Sequence, residues 1–144
     1  MERKSYSSTI VVQQSPKEVF NCIKDVSKWW NKECKGRSEK LNDEFIISHG
    51  DVHYSKQKLI EIIPNRRIVW QITDSELAWL ERDKAEWTNT KLVFEIALTA
   101  DKTIVQFTHE GLVPAKECYE RVARSWDMVI REWLFSFITS GKAI

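Results

Sequence analysis

The sequence predicts an α+β domain, a curved antiparallel sheet of about six to seven strands covered by one long C-terminal helix. Three observations carry this. Residues 114–141 place Tyr119, Val122, Trp126, Val129, Ile130, Trp133, Phe137 and Ile138 at helical spacing on one stripe. Residues 45–109 alternate apolar and polar with turn residues between, the pattern of antiparallel strands. Between the first strand and that sheet, a capping signature opens two short helices.

In chain order, residues 6–12 alternate and then become β-branched, which predicts a strand. Ser15-Pro16-Lys17-Glu18 follows. Ser15 can accept the amide of Glu18, Pro16 has no amide to leave unpaired, and Glu18 can reach back to the Ser15 amide. The helix that starts there carries Val19, Phe20 and Ile23 on one face. Asp25 or Ser27 caps a second short helix with Trp29 and Trp30. Residues 31–42 are polar, contain Gly36, and read as a loop.

Gly50-Asp51 predicts a two-residue hairpin turn that sets His49 opposite Val52. One face then collects Phe45, Ile47, His49, Val52 and Tyr54, and continues through Lys56 and Lys58 to Ile60. The next turn, at Pro64-Asn65, is taken as a five-residue loop over 63–67. That pairs Ile62 with Ile68 and Ile60 with Trp70, with Ile72 on the same face. Residues 74–90 read as an irregular connection with a short strand at its start. The last hairpin turns around residues 100–102 and pairs Leu98 with Thr103. This puts Leu92, Phe94, Ile96, Val105, Phe107 and His109 on one face.

The terminal helix has Pro114 for its first turn and Gly141 for its stop. Glu117–Arg121, Glu120–Arg124 and Asp127–Arg131 stand as i,i+4 pairs on its polar side. With large side chains stabilising by about 1.5–3 kcal/mol each when buried, its stripe contributes on the order of 10 kcal/mol before entropy. Loss of the helix is therefore expected to unfold the domain.

The totals narrow the function. The 144 residues suit one domain, 1–144, with a folded core from about 6 to 141. Lys plus Arg (22) and Asp plus Glu (21) nearly cancel, which argues against nucleic acid or anionic lipid as partner. Three cysteines without CxxC spacing fit reduced thiols in a cytoplasmic setting. The first residues, MERKSYSST, lack the apolar core of a signal peptide, and no run approaches the ~18 apolar residues of a membrane span. The assembly is expected to be a monomer or homodimer.

Several stretches resemble the START-like (SRPBCC, birch-pollen-allergen-like, helix-grip) superfamily. Within it they resemble the family of the activator of the ninety-kilodalton heat-shock protein's ATPase, in its small single-domain form. These are Ser15-Pro16-x-Glu18-Val19-Phe20, Trp29-Trp30, Pro64-x-x-Arg67-Ile68-Val69-Trp70, Trp87-x-x-Thr90, Thr108-His109-Glu110-Gly111-Leu112, and the final helix with Trp126. Asn89 stands where the family usually has Gly, and Asn also tolerates a left-handed backbone. The resemblance implies a helix-grip fold whose sheet and last helix enclose a cavity. It implies a lipid, hormone or polyketide-like guest and no cofactor. It also leaves open a chaperone-cofactor or stress-related interaction module, and a cyclase or hydrolase.

Candidate cavity residues are His49, Tyr54, Lys56, Trp70, Phe107, His109, Tyr119 and Trp126. A metal is not expected: the hairpin register turns His49 and His53 to opposite faces, and two histidines make a poor zinc site. Lys56 and Lys58 have two readings. A bulge or strand end turns them to water, or their stems snorkel, or they form a cationic floor for a ligand carboxylate or phenolate. Trp29, Trp30 and Trp79 suit a cavity mouth or an exposed partner patch. Cys118, at the start of the last helix, has a dipole to lower its pKa but no assigned base, and reads as inert. No phosphate-binding glycine loop or serine-nucleophile motif is present, and the carboxylates are scattered.

Overall fold

The computed structural model describes residues 4–144; residues 1–3, the start of the polar N-terminal stretch, lie outside them. β1 (Tyr6–Val12) leads to α1 (Pro16–Lys24) and α2 (Val26–Trp29). β2 (Lys35–Gly36), β3 (Glu44–His49), β4 (His53–Ile63), β5 (Arg67–Leu77), β6 (Lys91–Thr99) and β7 (Lys102–Glu110) follow. The seven strands form one antiparallel sheet in the order β1-β7-β6-β5-β4-β3-β2. The chain ends in a continuous helical run of 22 residues. It comprises α3 (Tyr119–Met128), a π-helical segment (Val129–Leu134) and α4 (Phe135–Ser140).

The local signals act as expected at the N-terminal end. Ser15 Oγ accepts the Glu18 amide and Glu18 accepts the Ser15 amide, each at 3.2 Å. α1 buries Val19, Phe20 and Ile23. Asp25 sits at the start of α2 without a side-chain cap bond, and Trp29 is fixed instead by its indole N–H donating to the Ile23 carbonyl at 3.1 Å. The stretch read as a loop contains β2. Gly36, at φ +98°, allows this pairing, because a Cβ there would lie 2.3 Å from the Glu44 carbonyl oxygen.

The β3–β4 register differs from expectation by one residue. His49 pairs with His53, not Val52, so three residues form the turn. A slip of one flips every side chain on the strand. Ser55, Gln57 and Leu59 therefore face the core, and Tyr54, Lys56 and Lys58 face outward. The solvent reading of the lysines holds, and Lys56 lies 3.7 Å from Glu44. His49 and His53, expected on opposite faces, share one. Two bulges complete the correction. Thr73 has no partner in the β4–β5 ladder, and Ile60 is the extra residue on β4. Ile62 pairs with Ile68 as expected, but the bulge at Ile60 brings Leu59 opposite Trp70. β5 runs to Leu77, longer than the short strand expected. β6 and β7 pair Leu98 with Thr103, and all six predicted inward residues are buried.

The terminal helix starts at Tyr119, not at Pro114. The Glu86 carboxylate accepts the amides of Glu117 and Cys118 at 3.2 and 3.0 Å, which ends the turns before the helix at that point. None of the three expected i,i+4 ion pairs forms among the described residues. Glu117 pairs with Arg82 at 3.7 Å and accepts the amides of Glu81 and Arg82. Asp127 accepts the Tyr6 hydroxyl, tying the helix to β1. The stripe buries Val122, Trp126, Val129, Ile130 and Ile138, and Leu134 with them. Gly141 ends the run in the left-handed conformation.

Candidate functional site

The space between sheet and helix is filled by rings. Trp29 stacks on Trp70 and Trp30, with centroids 6.3 and 6.1 Å apart. Phe45 and Phe94 meet Trp70 edge-on at 4.9 and 5.2 Å. Phe107 packs against Phe94 at 4.9 Å and Trp126 at 4.7 Å. Trp70 also donates its indole N–H to Ser38 Oγ at 2.8 Å, a buried pair. Trp70 and Phe107 are thus packed core, and Tyr119 lies partly buried against that core.

His109 is wholly buried and fully engaged. The Trp126 indole N–H donates to His109 Nδ1 at 3.0 Å. That fixes the proton on Nε2, which donates to Thr90 Oγ1 at 2.8 Å. Thr90 in turn donates to the Trp87 carbonyl at 2.5 Å. Burial, with a smaller push from Lys116, lowers the His109 pKa to about 3. The residue is a neutral bracket joining β7, the 78–90 connection and the terminal helix. It does not line open space.

The open space lies further along, at the β3–β4 end. It is a cleft of about 250 Å³, half open to solvent. The sheet supplies Ile47, His49, His53 and Leu77. Trp30 and Asn31 close the side after α2, and Trp79 and Trp87 come from the connection between β5 and β6. The terminal helix supplies Arg121, Ser125, Trp126, Val129 and Trp133 among others. Of the candidate cavity residues, His49 and Trp126 line this cleft, and Tyr54 and Lys56 stand on the other face of the sheet.

The walls are fixed by backbone ties. The Ala78 amide donates to the Val52 carbonyl at 3.1 Å, joining the connection to the β3–β4 turn. The Lys84 ammonium caps the Ala78 carbonyl at 2.7 Å and also reaches the Leu80 carbonyl. Asn89, at φ +74°, makes the turn that carries Trp87 inward, as its side chain type permits. Arg121 lies 4.4 Å over the Trp79 ring, a cation–π contact.

A polar row runs from His53 on the cleft wall into the buried interior along β4. His53 Nε2 is 2.9 Å from Ser55 Oγ, which also accepts from Gln57 Nε2 at 2.6 Å. His53 packs edge-on against Trp87 at 4.8 Å. Burial, with the His49 charge second, lowers its pKa to about 4, so it is neutral at pH 7. Of the four buried side-chain groups without a hydrogen-bond partner among the described residues, two lie here: Gln57 Oε1 and the Trp87 indole N–H. Arg121 is the one Lys, Arg, Asp or Glu side chain on the wall. No cluster of three or more His, Cys, Asp or Glu side chains is placed to hold a metal among the described residues. Cys118 departs from the dipole expectation. Burial, then the Glu86 carboxylate, pushes its thiol up to about 12.

Sequence reasoning missed His53, Arg121 and the Ser55–Gln57 row. The signal was present: shifting the turn by one residue puts both lysines in water and the uncharged residues inside.

No family model matches the sequence, and no curated protein is found similar to it. Solved structures are. The solution structure of the Aha1 dimer from Colwellia psychrerythraea superimposes with a TM-score of 0.77 at 18% identity, over 99% of this chain and 100% of that one. DynU16, from the dynemicin biosynthetic locus, gives 0.70 at 12% identity over 97% of this chain, which spans 49% of DynU16. CalU16 from Micromonospora echinospora gives 0.67 at 15% identity, over 97% and 79%. The chain has the helix-grip, START-like fold. In this helix-grip chain the rings of Trp29, Trp70, Phe94 and Phe107 fill the middle of the grip, and the cleft occupies its end. Among the described residues, no helix is long and apolar enough to cross a membrane.

Proposed function

We propose that this protein binds a small apolar or amphipathic molecule in the cleft at the end of the sheet, without a cofactor. One observation carries the reading: five of the seven tryptophans, Trp30, Trp79, Trp87, Trp126 and Trp133, line one half-open cleft. A concave wall of aromatic side chains with a few polar groups is the usual form of a small-molecule site. None of the seven is an exposed surface residue, which supports a guest over a partner patch of bare indoles. The likeness to Aha1 keeps a chaperone-cofactor role as the rival, and pulldown of a large ATPase tests it. Histidine-based cyclase or hydrolase chemistry gains no support from His109, whose two nitrogens are both occupied. The three free cysteines support a reducing, cytoplasmic setting.

The test uses N-phenyl-1-naphthylamine, a neutral fluorescent probe. Wild type should bind it at micromolar concentration. Ser125→Trp, at an exposed helix position on the cleft wall, should weaken binding at least tenfold while leaving the far-UV CD spectrum intact. Absence of binding, or equal binding by both proteins, would refute the reading.

A further inference from the structure

We infer that the guest is a small aryl carboxylate, its ring held among the tryptophans and its carboxylate on Arg121. This rests on the cleft being a ligand site, as proposed above. The volume, about 250 Å³, lies below the range of roughly 300–1,000 Å³ for drug-sized pockets, so it suits one or two fused rings and not a long acyl chain. Indole faces and edges on the walls favour a flat aromatic body, through offset and edge-on contacts.

Charge selects the head group. No Asp or Glu lines the cleft, and Arg121 is its one Lys or Arg. His53 adds no charge, being neutral at pH 7. Arg121 makes no salt bridge with any described residue, although acids are near in sequence. Glu117, one turn back, is committed to Arg82 and to the amides of Glu81 and Arg82. The guanidinium carbon lies 4.4 Å over the Trp79 ring, a contact that holds the group at the cleft wall while its N–H donors bond no described residue. A planar fork of donors at the rim of an apolar slot matches a planar carboxylate attached to a ring, because two parallel N–H···O bonds form without burying the charge fully. The same geometry gives a neutral alcohol a single weaker bond.

The probes are 2-naphthoate and the neutral 2-naphthalenemethanol, titrated into the full chain by tryptophan fluorescence and calorimetry. Wild type should bind naphthoate at least tenfold more tightly than the alcohol. Arg121→Gln should lose that preference, weakening naphthoate at least tenfold and the alcohol less than twofold. Arg121→Lys, which keeps the charge without the fork, should fall between. Arg121 is exposed, so both variants should fold, and alcohol binding reports an intact cleft. Equal affinities for the two probes, or a naphthoate affinity unchanged in Arg121→Gln, overturn the carboxylate assignment and leave the ligand site standing. If neither probe binds wild type, the ligand site itself is wrong and the carboxylate falls with it.

Discussion

Mild acid should destabilise this protein through two histidines. In the unfolded chain each imidazole takes its proton near the ordinary value of 6.5. In the folded chain burial holds His53 to about 4 and His109 to about 3. For His109 the reason is also geometric, since protonating Nδ1 sets a second donor against the Trp126 N–H. The sign follows from proton counting. Between pH 6.5 and about 4 the unfolded state binds more protons, so stability is present above 6.5 and is lost as pH falls. At about 1.36 kcal/mol per pH unit, each histidine costs about 2 kcal/mol at pH 5, and the pair about 4. For a domain of this size that lowers Tm by roughly 10–15 °C between pH 8 and pH 5. Carboxylates held low, Glu117 by the Glu81 and Arg82 amides and Asp43 by those of Lys40 and Glu39, have the same sign but act below their ordinary 4.5 and 3.8. The upper window therefore belongs to the histidines. Thermal unfolding followed by CD at half-unit pH steps is the assay. His53→Gln and His109→Gln should each remove about half of the slope between pH 6.5 and 5, whatever they do to stability at pH 8. A flat wild-type profile across that window, or an unchanged slope in both variants, would show the argument to be wrong.

Three further outcomes are expected. Ile130→Ala and Leu134→Ala, both at fully buried positions of the π segment, should each lose about 2–5 kcal/mol in urea unfolding, whereas Arg131→Ala between them should stay within about 0.5 kcal/mol. Ser15→Ala, which removes the cap on α1, should cost about 1 kcal/mol by the same measurement. At pH 8 Cys118 should resist iodoacetamide in the native protein and react on unfolding, as peptide mass mapping would read, because its buried thiol is held at about 12.

The parts of this fold that were legible in the sequence are those where one local rule dominates. Ser15, Pro16 and Glu18 specify a helix start by hydrogen-bonding valence alone. The β6–β7 hairpin was legible because Leu92, Phe94 and Ile96 and Val105, Phe107 and His109 recur at every second position, and a single turn brings them into register. The β3–β4 hairpin was not, because Gly50-Asp51 looks like a complete two-residue turn while Val52 joins it. That one residue carried His53, Ser55 and Gln57 inward and Tyr54 and Lys56 outward, so two of the eight expected cavity residues changed face. The bulges at Ile60 and Thr73 have no sequence signature, since a bulge is fixed by the partner strand. His109 was placed on the correct face, yet its neutral state depends on Trp126 and Thr90, residues 17 and 19 positions away. Arg121 read as half of an ion pair because helical spacing alone cannot show that Glu117 lies before the helix and is committed to the loop.

The π segment explains how one helix serves both the core and the cleft. A π turn closes with i→i+5 bonds and so holds an extra residue compared with an α turn. Over an α-helical stripe, neighbouring pairs such as Val129 with Ile130 and Trp133 with Leu134 compete for the same narrow face. Widening the turn across Val129–Leu134 gives both pairs an inward position. Ile130 and Leu134 are wholly buried in the core, while Val129 and Trp133 reach the cleft wall. After the segment, α4 resumes with Ile138 buried and packs against α1 and β1. The rings in the middle of the grip leave no room for a guest there. The extra residue in the helix is thus what allows a filled grip to keep an aromatic recess at its end.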